Sequence, residues 1–243
     1  MATPVSVQTY ARIAGVLGLL TFVGGGFGEA YVPSVLIVSG DATETAKNIV
    51  ASDTLFRLGF AGYLVEALCD VGLTWVFYVL LRPVHRDLAL LAVFFRLIST
   101  AGFAMAEVLY FAASPMLGGA DYLKTFSPDQ IDTLTLLWLK VSGFGQGLFS
   151  MFYGVASVFL GYLIFRSSFL PKALGVLLSL GGLGFVTKTF LSVLAPAYAS
   201  PVLLMPTAVA WLFLTLWFLV RGVDGPKWQE SAALAESREP MTM

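Results

Sequence analysis

Six long apolar runs leave this chain little freedom in how it can fold. They span residues 10–37, 54–81, 87–113, 131–165, 171–194 and 201–220. A helix needs about 20 apolar residues to cross the roughly 30 Å hydrocarbon core of a bilayer, and each run is long enough. Only 12% of the residues are charged, whereas about a quarter are charged in soluble domains. The sequence therefore predicts an all-α integral membrane protein with a bundle of six transmembrane helices.

The polar segments between these runs complete the predicted organisation. Residues 1–221 form the transmembrane domain, and residues 222–243 form a polar cytoplasmic tail without apolar periodicity, which we expect to be frayed. Asp41 and Glu44, like Ser127 and Gln130, have the spacing of a helix-capping box. They predict a short surface helix on the outer side and the start of the fourth long helix.

The fourth helix is too long for one straight crossing. Residues 131–165 would extend about 53 Å, so the helix either protrudes or bends near the glycines of residues 143–147. Gly147, Gly154 and Gly161 recur every seven residues in this helix. The first helix is also rich in glycine, at residues 24–26 and at Gly28. Such positions favour close approach of another helix backbone, although the first helix could instead break near its far end.

Basic residues predict the orientation of the six helices. One side carries eight (Arg12, Arg82, Arg86, Arg166, Lys172, Arg221, Lys227 and Arg238) and the other carries three (Lys47, Arg57 and Lys124). Since Lys and Arg concentrate in cytoplasmic loops, both termini are expected in the cytoplasm.

Glu66 and Asp70 are the least expected residues of the second apolar run. At i and i+4 they share one helix face, and an ionised group at the centre of a membrane helix costs about 2.5–3.5 kcal/mol. They therefore need partners, water or protons. Residue counting places Asp70 about 18 Å above Arg82 and Arg96 about 14 Å above Asp87, which predicts an Asp70–Arg96 ion pair.

Charged residues also lie within the other apolar runs, among them Glu29, Glu107 and Lys188. Glu66 and Lys188 are each predicted about 24 Å along their helix from its cytoplasmic end, so they can pair if their helices touch. Glu107 and Glu29 are predicted nearer the outer face. We hypothesise that the six residues line a polar intramembrane cavity (Glu29, Glu66, Asp70, Arg96, Glu107 and Lys188). The alternative is a set of ion pairs that only fix helix register.

Several short stretches resemble a bacterial multi-pass membrane family catalogued only as a domain of unknown function. They are residues 10–15 (YARIAG), 55–59 (LFRLG), 69–71 (CDV), 81–83 (LRP), 94–97 (FFRL), 161–167 (GYLIFRS) and 170–172 (LPK). The resemblance implies a protein of the bacterial inner membrane with this helix count. It implies no activity, substrate or cofactor.

The charged and reactive residues narrow the classes of function. A net charge of −1 provides no basic surface for nucleic acid. Cys69 is the sole cysteine and His85, in a predicted turn, the sole histidine, so we predict no cofactor and no metal site.

Three hypotheses remain open. The first is binding or transport of a small solute or lipophilic molecule. Because six helices are few for a transporter, this hypothesis also predicts a homo-oligomer in the lipid bilayer. The second is an intramembrane enzyme that uses a carboxylate as general acid or base. The third is a structural subunit without a ligand.

Overall fold

The computed structural model describes residues 6–237, and all regular elements within them are helical. The first span contains α1 (Val7–Gly25), a π-helical segment (Gly26–Tyr31) and α2 (Val32–Leu36). The other helices are α3 (Ala42–Ala51), α4 (Asp53–Leu81), α5 (Arg86–Phe111), α6 (Ala113–Leu117), α7 (Pro128–Arg166), α8 (Lys172–Leu194), α9 (Met205–Val220) and α10 (Gly225–Glu236). Short 3₁₀ turns lie at Asp121–Leu123, Pro196–Tyr198 and Pro201–Leu204.

Within residues 6–237, six helices are long and apolar enough to cross a membrane. They cover Val7–Leu36, Asp53–Leu81, Arg86–Leu117, Pro128–Arg166, Lys172–Leu194 and Pro201–Val220. These bounds lie within a few residues of the predicted apolar runs, so the all-helical membrane fold is confirmed. Arg238, one of the basic residues used to predict orientation, lies outside the described residues.

Both predicted capping motifs begin helices. The Asp41 side chain accepts a hydrogen bond from the Glu44 backbone N–H at the start of α3. At the start of α7, the Gln130 N–H donates to Ser127 Oγ over 3.3 Å, and the Ser127 N–H donates to Gln130 Oε1 over 2.8 Å. This reciprocal pair satisfies two of the N–H groups that a helix start leaves without an intrahelical acceptor.

The long helix α7 is continuous through its glycines. It has 39 residues, which correspond to about 58 Å at 1.5 Å per residue. That length is nearly twice the hydrocarbon thickness of a typical bilayer.

The described residues form two compact units, and the long helices contribute residues to both. The first unit contains the described parts of Met1–Leu19, Cys69–Thr100 and Ser150–Met243. In it, α7 and α8 approach closely through glycines, as the spacing predicted for Gly154 and Gly161. A Cβ at Gly161 would lie 2.5 Å from the carbonyl oxygen of Gly175, and one at Gly154 would lie 2.6 Å from that of Gly182. Only glycine permits this separation of the two backbones.

The second unit contains Leu20–Leu68 and Ala101–Phe149, and its first span packs on α4 through glycines. A Cβ at Gly24 would lie 2.9 Å from Gly62 O, and one at Gly28 would lie 2.7 Å from Gly59 O. The close-packing prediction for the first helix is therefore confirmed. Instead of breaking, the helix widens into the π-helical segment.

The expectation of a frayed tail is wrong for Gly225–Glu236, which form α10. The Asp224 side chain caps this helix by accepting from the Lys227 backbone N–H, and Pro226 occupies its first turn. Trp228 Nε1 donates to Leu80 O over 2.9 Å. A tertiary hydrogen bond thus holds a helix that has no apolar periodicity of its own.

Candidate functional site

The π-helical segment carries Glu29, and the local sequence explains its geometry. Pro33 has no N–H to donate to the carbonyl of Glu29, four residues earlier, and its ring would clash with that carbonyl in an α-helix. The Val32 N–H instead bonds to Phe27 O, five residues earlier. A local π-helical adjustment is one way in which membrane helices accommodate proline, and such segments often occur at functional sites.

Glu66 on α4 lies directly opposite this segment. A Cβ at Gly25 would come within 2.8 Å of Glu66 Oε2, so glycine is needed where the carboxyl group rests. The side chains of Glu29 and Glu66 lie close enough to interact with each other. Carboxylates are acceptors only, so a hydrogen bond between two carboxyl groups requires a proton on one of them.

Glu107 on α5 is the third carboxyl group and the most deeply buried. Its side chain interacts electrostatically with Glu29, and Gln146 Nε2 donates to its Oε1 over 2.5 Å. Gln146 also donates to Ser142 Oγ over 3.4 Å, and Tyr63 lies close enough to interact with it. The other oxygen, Glu107 Oε2, is buried and has no hydrogen-bond partner among residues 6–237.

We call Glu29, Glu66 and Glu107 the carboxyl cluster. Its members come from three spans, and all of them lie in the second unit. Within the described chain, neither Glu29 nor Glu107 forms an ion pair with a Lys or Arg side chain. Arg57, a basic residue of the same unit, pairs with Asp53 at 2.6 Å. No three Asp, Glu, His or Cys side chains among the described residues are arranged to hold a metal ion.

Exposure is graded across the carboxyl cluster. Glu29 is exposed, Glu66 is half-buried and Glu107 is only 5% exposed. The cluster therefore extends from the surface of the second unit to its interior.

Asp70 and Arg96 form the predicted ion pair in the first unit. Arg96 Nη2 donates to Asp70 Oδ1, and Thr100 Oγ1 donates to Asp70 Oδ2 over 2.5 Å. Arg96 is 2% exposed. Its Cζ lies 4.8 Å from the ring centroid of Trp211 and 5.2 Å from that of Tyr153. Both rings lie within cation–π distance of the guanidinium group, and this attraction compensates part of its lost hydration.

Lys188 lies on α8, in the first unit, and is half-buried. Its predicted pairing with Glu66 stays a prediction. Of the six hypothesised cavity residues, the structure brings together three in the carboxyl cluster and two in the Asp70–Arg96 pair.

Sequence reasoning missed the uncharged members of both sites. Gln146, Tyr63 and Tyr110 join the carboxyl cluster, while Tyr153 and Trp211 enclose Arg96. For Gln146 a signal was present, since it is a polar residue between two glycines in an apolar helix. The aromatic residues are indistinguishable in sequence from those that face lipid.

The fold and these buried polar groups define a multi-pass helical membrane protein. Residues 13–222 match the family described as domain of unknown function DUF4386, and the chain belongs to that family.

The chain is similar to an uncharacterised protein of Archaeoglobus fulgidus. It is 26% identical over 130 residues, which cover 54% of this chain and 64% of the relative. The chain therefore spans less than two thirds of that protein's length. No solved structure matches the chain.

Proposed function

We propose that this protein binds and transports a small solute through the membrane and exchanges protons at the carboxyl cluster. The observation that carries the proposal is the position of Glu29, which interacts with the carboxyl groups of Glu66 and Glu107 on two other membrane-spanning segments. Neither Glu29 nor Glu107 has a Lys or Arg ion pair among the described residues. Uncompensated carboxylates are costly in a membrane and are typical of ion paths and proton relays.

The neighbouring carboxyl groups of Glu29 and Glu66 are the proposed proton-exchanging element. Two adjacent carboxyl groups favour holding one proton between them, and the pair can lose that proton when a solute provides another partner. The accessible surface of Glu29 and the burial of Glu107 support a route inward for the solute and the proton.

The Asp70–Arg96 pair has a different role in this proposal. Its charges are already matched, and Thr100 satisfies the second carboxylate oxygen. Arg96 Nε and Nη1 have no hydrogen-bond partner among residues 6–237, and the Trp211 ring centroid lies 4.8 Å from Cζ. We assign it as the fixed polar anchor of the first unit.

The same proposal includes a cellular setting. We place the protein in the bacterial inner membrane with both termini in the cytoplasm, because most basic residues of the loops and tail fall on that side. The bilayer and a small-molecule ligand are its partners, and the small number of helices favours a homo-oligomer.

Labelling with dicyclohexylcarbodiimide tests the proton-exchanging site. This apolar reagent modifies protonated carboxyl groups in membranes, so mass spectrometry should find adducts on Glu29 or Glu66. Glu44 is a suitable comparison because it is an exposed carboxylate 3.7 Å from Lys47. It should remain unmodified.

A pair of variants makes the assignment specific. Glu29→Gln introduces an amide N–H that can donate to Glu66, so Glu66 no longer needs a proton and its labelling should fall. Glu44→Gln should leave the labelling unchanged. Absence of adducts on all three members of the carboxyl cluster in folded protein would overturn the proposed function.

A further inference from the structure

We propose that the solute bound at the carboxyl cluster is a small protonated amine that carries at least one N–H on its charged nitrogen and an aromatic or apolar body. This inference rests on the proposed function and names the chemical class of its ligand. It is drawn from buried oxygen atoms that lack donors and from the rings beside them.

Two buried oxygen atoms on one face of α5 lack hydrogen-bond partners among the described residues. They are Glu107 Oε2 and the Tyr110 hydroxyl, and the two residues are 5% and 3% exposed. At i and i+3 their side chains are neighbours on the helix surface. Leaving buried polar atoms without a partner is costly, so such atoms in a native structure point to an absent ligand or water.

The hydrogen-bonding state of Glu107 selects a donor as the ligand. When Glu107 is ionised, Gln146 donates to Oε1 and Oε2 is the acceptor that remains. An ammonium N–H matches one carboxylate oxygen in both charge and number of hydrogen bonds. A cation such as Ca²⁺ requires six to eight oxygen ligands instead.

Aromatic rings pack beside Tyr110 in the core of the second unit. The Tyr63 ring meets the Tyr110 ring edge to face, with centroids 5.7 Å apart, and the Phe56 ring stacks on Tyr110 at 4.8 Å. Tyr63 is linked to the carboxyl cluster through Gln146. Aromatic faces attract ammonium groups and also accept the apolar body of an amine.

Two probes of almost equal shape test the inference on the purified full chain. N,N-dimethylbenzylammonium has one N–H, whereas benzyltrimethylammonium carries the same charge and replaces that N–H with a methyl group. We expect calorimetry to show binding of the first probe at least about tenfold tighter than the second, because only the first can satisfy Glu107 Oε2. The first probe should also protect the carboxyl cluster from dicyclohexylcarbodiimide.

Variants locate the binding. Glu107→Gln should abolish binding of N,N-dimethylbenzylammonium, and Tyr110→Phe should weaken it while conserving ring volume. Tyr122→Phe, at a tyrosine that is 73% exposed, is the matched control and should have no effect. The probe comparison uses the unmodified protein, so it stands even if Glu107→Gln fails to fold.

The outcomes separate this inference from the proposed function. Equal binding of the two probes, or binding unaffected by Tyr110→Phe and Glu107→Gln, would overturn the N–H recognition. Labelling of the cluster without binding of either probe would overturn the amine class and leave the proton-exchanging site. Absence of both labelling and binding would overturn both.

Discussion

Arg96 on α5 donates a hydrogen bond to Asp70 on α4, and the two side chains are only 2% and 12% exposed. The pair is the one buried contact whose partners residue counting predicted correctly. Its geometry is a charge-assisted hydrogen bond that Thr100 supports from the other carboxylate oxygen.

Removing either partner of this pair should destabilise the protein. Removing both should lower the free energy of unfolding by less than the sum of the two single changes. Asp70→Asn and Arg96→Gln should each lower the free energy of unfolding by about 3–5 kcal/mol, since each leaves one buried charge without its partner. The double variant should be more stable than the sum predicts. Reversible unfolding in mixed detergent micelles measures the cycle.

The exposed pair Asp121–Lys124 provides the control for this cycle. Its side chains are 92% and 75% exposed, so Asp121→Asn and Lys124→Gln should show no measurable coupling. Strict additivity at Asp70 and Arg96 would show that the contact contributes no interaction energy.

The sequence predicted the spans and this ion pair because both depend on distance along a helix axis. Hydropathy and length locate a span, and a rise of about 1.5 Å per residue gives each residue a depth. The same counting did not predict that Glu29 reaches Glu66. It assumes regular α-helices, whereas Glu29 lies in a π-helical segment.

Residue counting along the sequence does not give the direction in which each side chain faces around its helix axis. Trp211 and Tyr153 face Arg96, but in a helix that is apolar all round no periodicity distinguishes this face from the lipid-facing one. The helical tail was missed for another reason. α10 depends on the Trp228–Leu80 hydrogen bond, which is a tertiary contact.

Two glycines of the π-helical segment should respond differently to alanine. In Gly28→Ala the new Cβ would lie 2.7 Å from Gly59 O, so the backbones must separate and the free energy of unfolding should fall by about 1–3 kcal/mol. At Gly26 a Cβ meets no atom within 4 Å. Gly26→Ala should therefore change stability by no more than about 0.5 kcal/mol. Equal effects would argue against close packing at Gly28.

Acidification should loosen the start of α10. The side-chain hydrogen bond with Lys227 lowers the pKa of Asp224 below its ordinary value. Stability from this cap is therefore fully present above the pKa of an unfolded Asp, about 3.9, and is lost as the pH falls through the lower pKa of the folded state. Amide exchange in residues 225–236, corrected for the intrinsic pH dependence, should accelerate over that range. Asp224→Asn should remove the acceleration.

The predicted orientation has a direct test. A reporter fused to the C-terminus and one inserted in the loop of residues 118–127 should lie on opposite sides of the membrane, with the C-terminus in the cytoplasm. A reporter at residues 82–85, between α4 and α5, should agree with the C-terminal one. Finding the first two reporters on the same side would contradict a six-span topology.

The carboxyl cluster can bind and transport a solute only if water reaches Glu66. Glu66 is half-buried beside Gly25, and a Glu side chain is too short to reach water from the middle of a membrane. We expect a Glu66→Cys variant, made in a Cys69→Ser background, to react with a membrane-impermeant thiol reagent added from outside. Val76→Cys, at a position that is 0% exposed, should remain unreactive.

The labelling rate also reports on the ligand. Slower reaction of Glu66→Cys in the presence of a solute would place that solute beside the cluster and support transport or binding. If the variant does not react while folded, and Glu66→Gln leaves both stability and growth unchanged, Glu66 has only a packing role. The carboxyl cluster would then be a closed hydrogen-bonded network that stabilises helix contacts, because a transport path requires at least one side from which water reaches it.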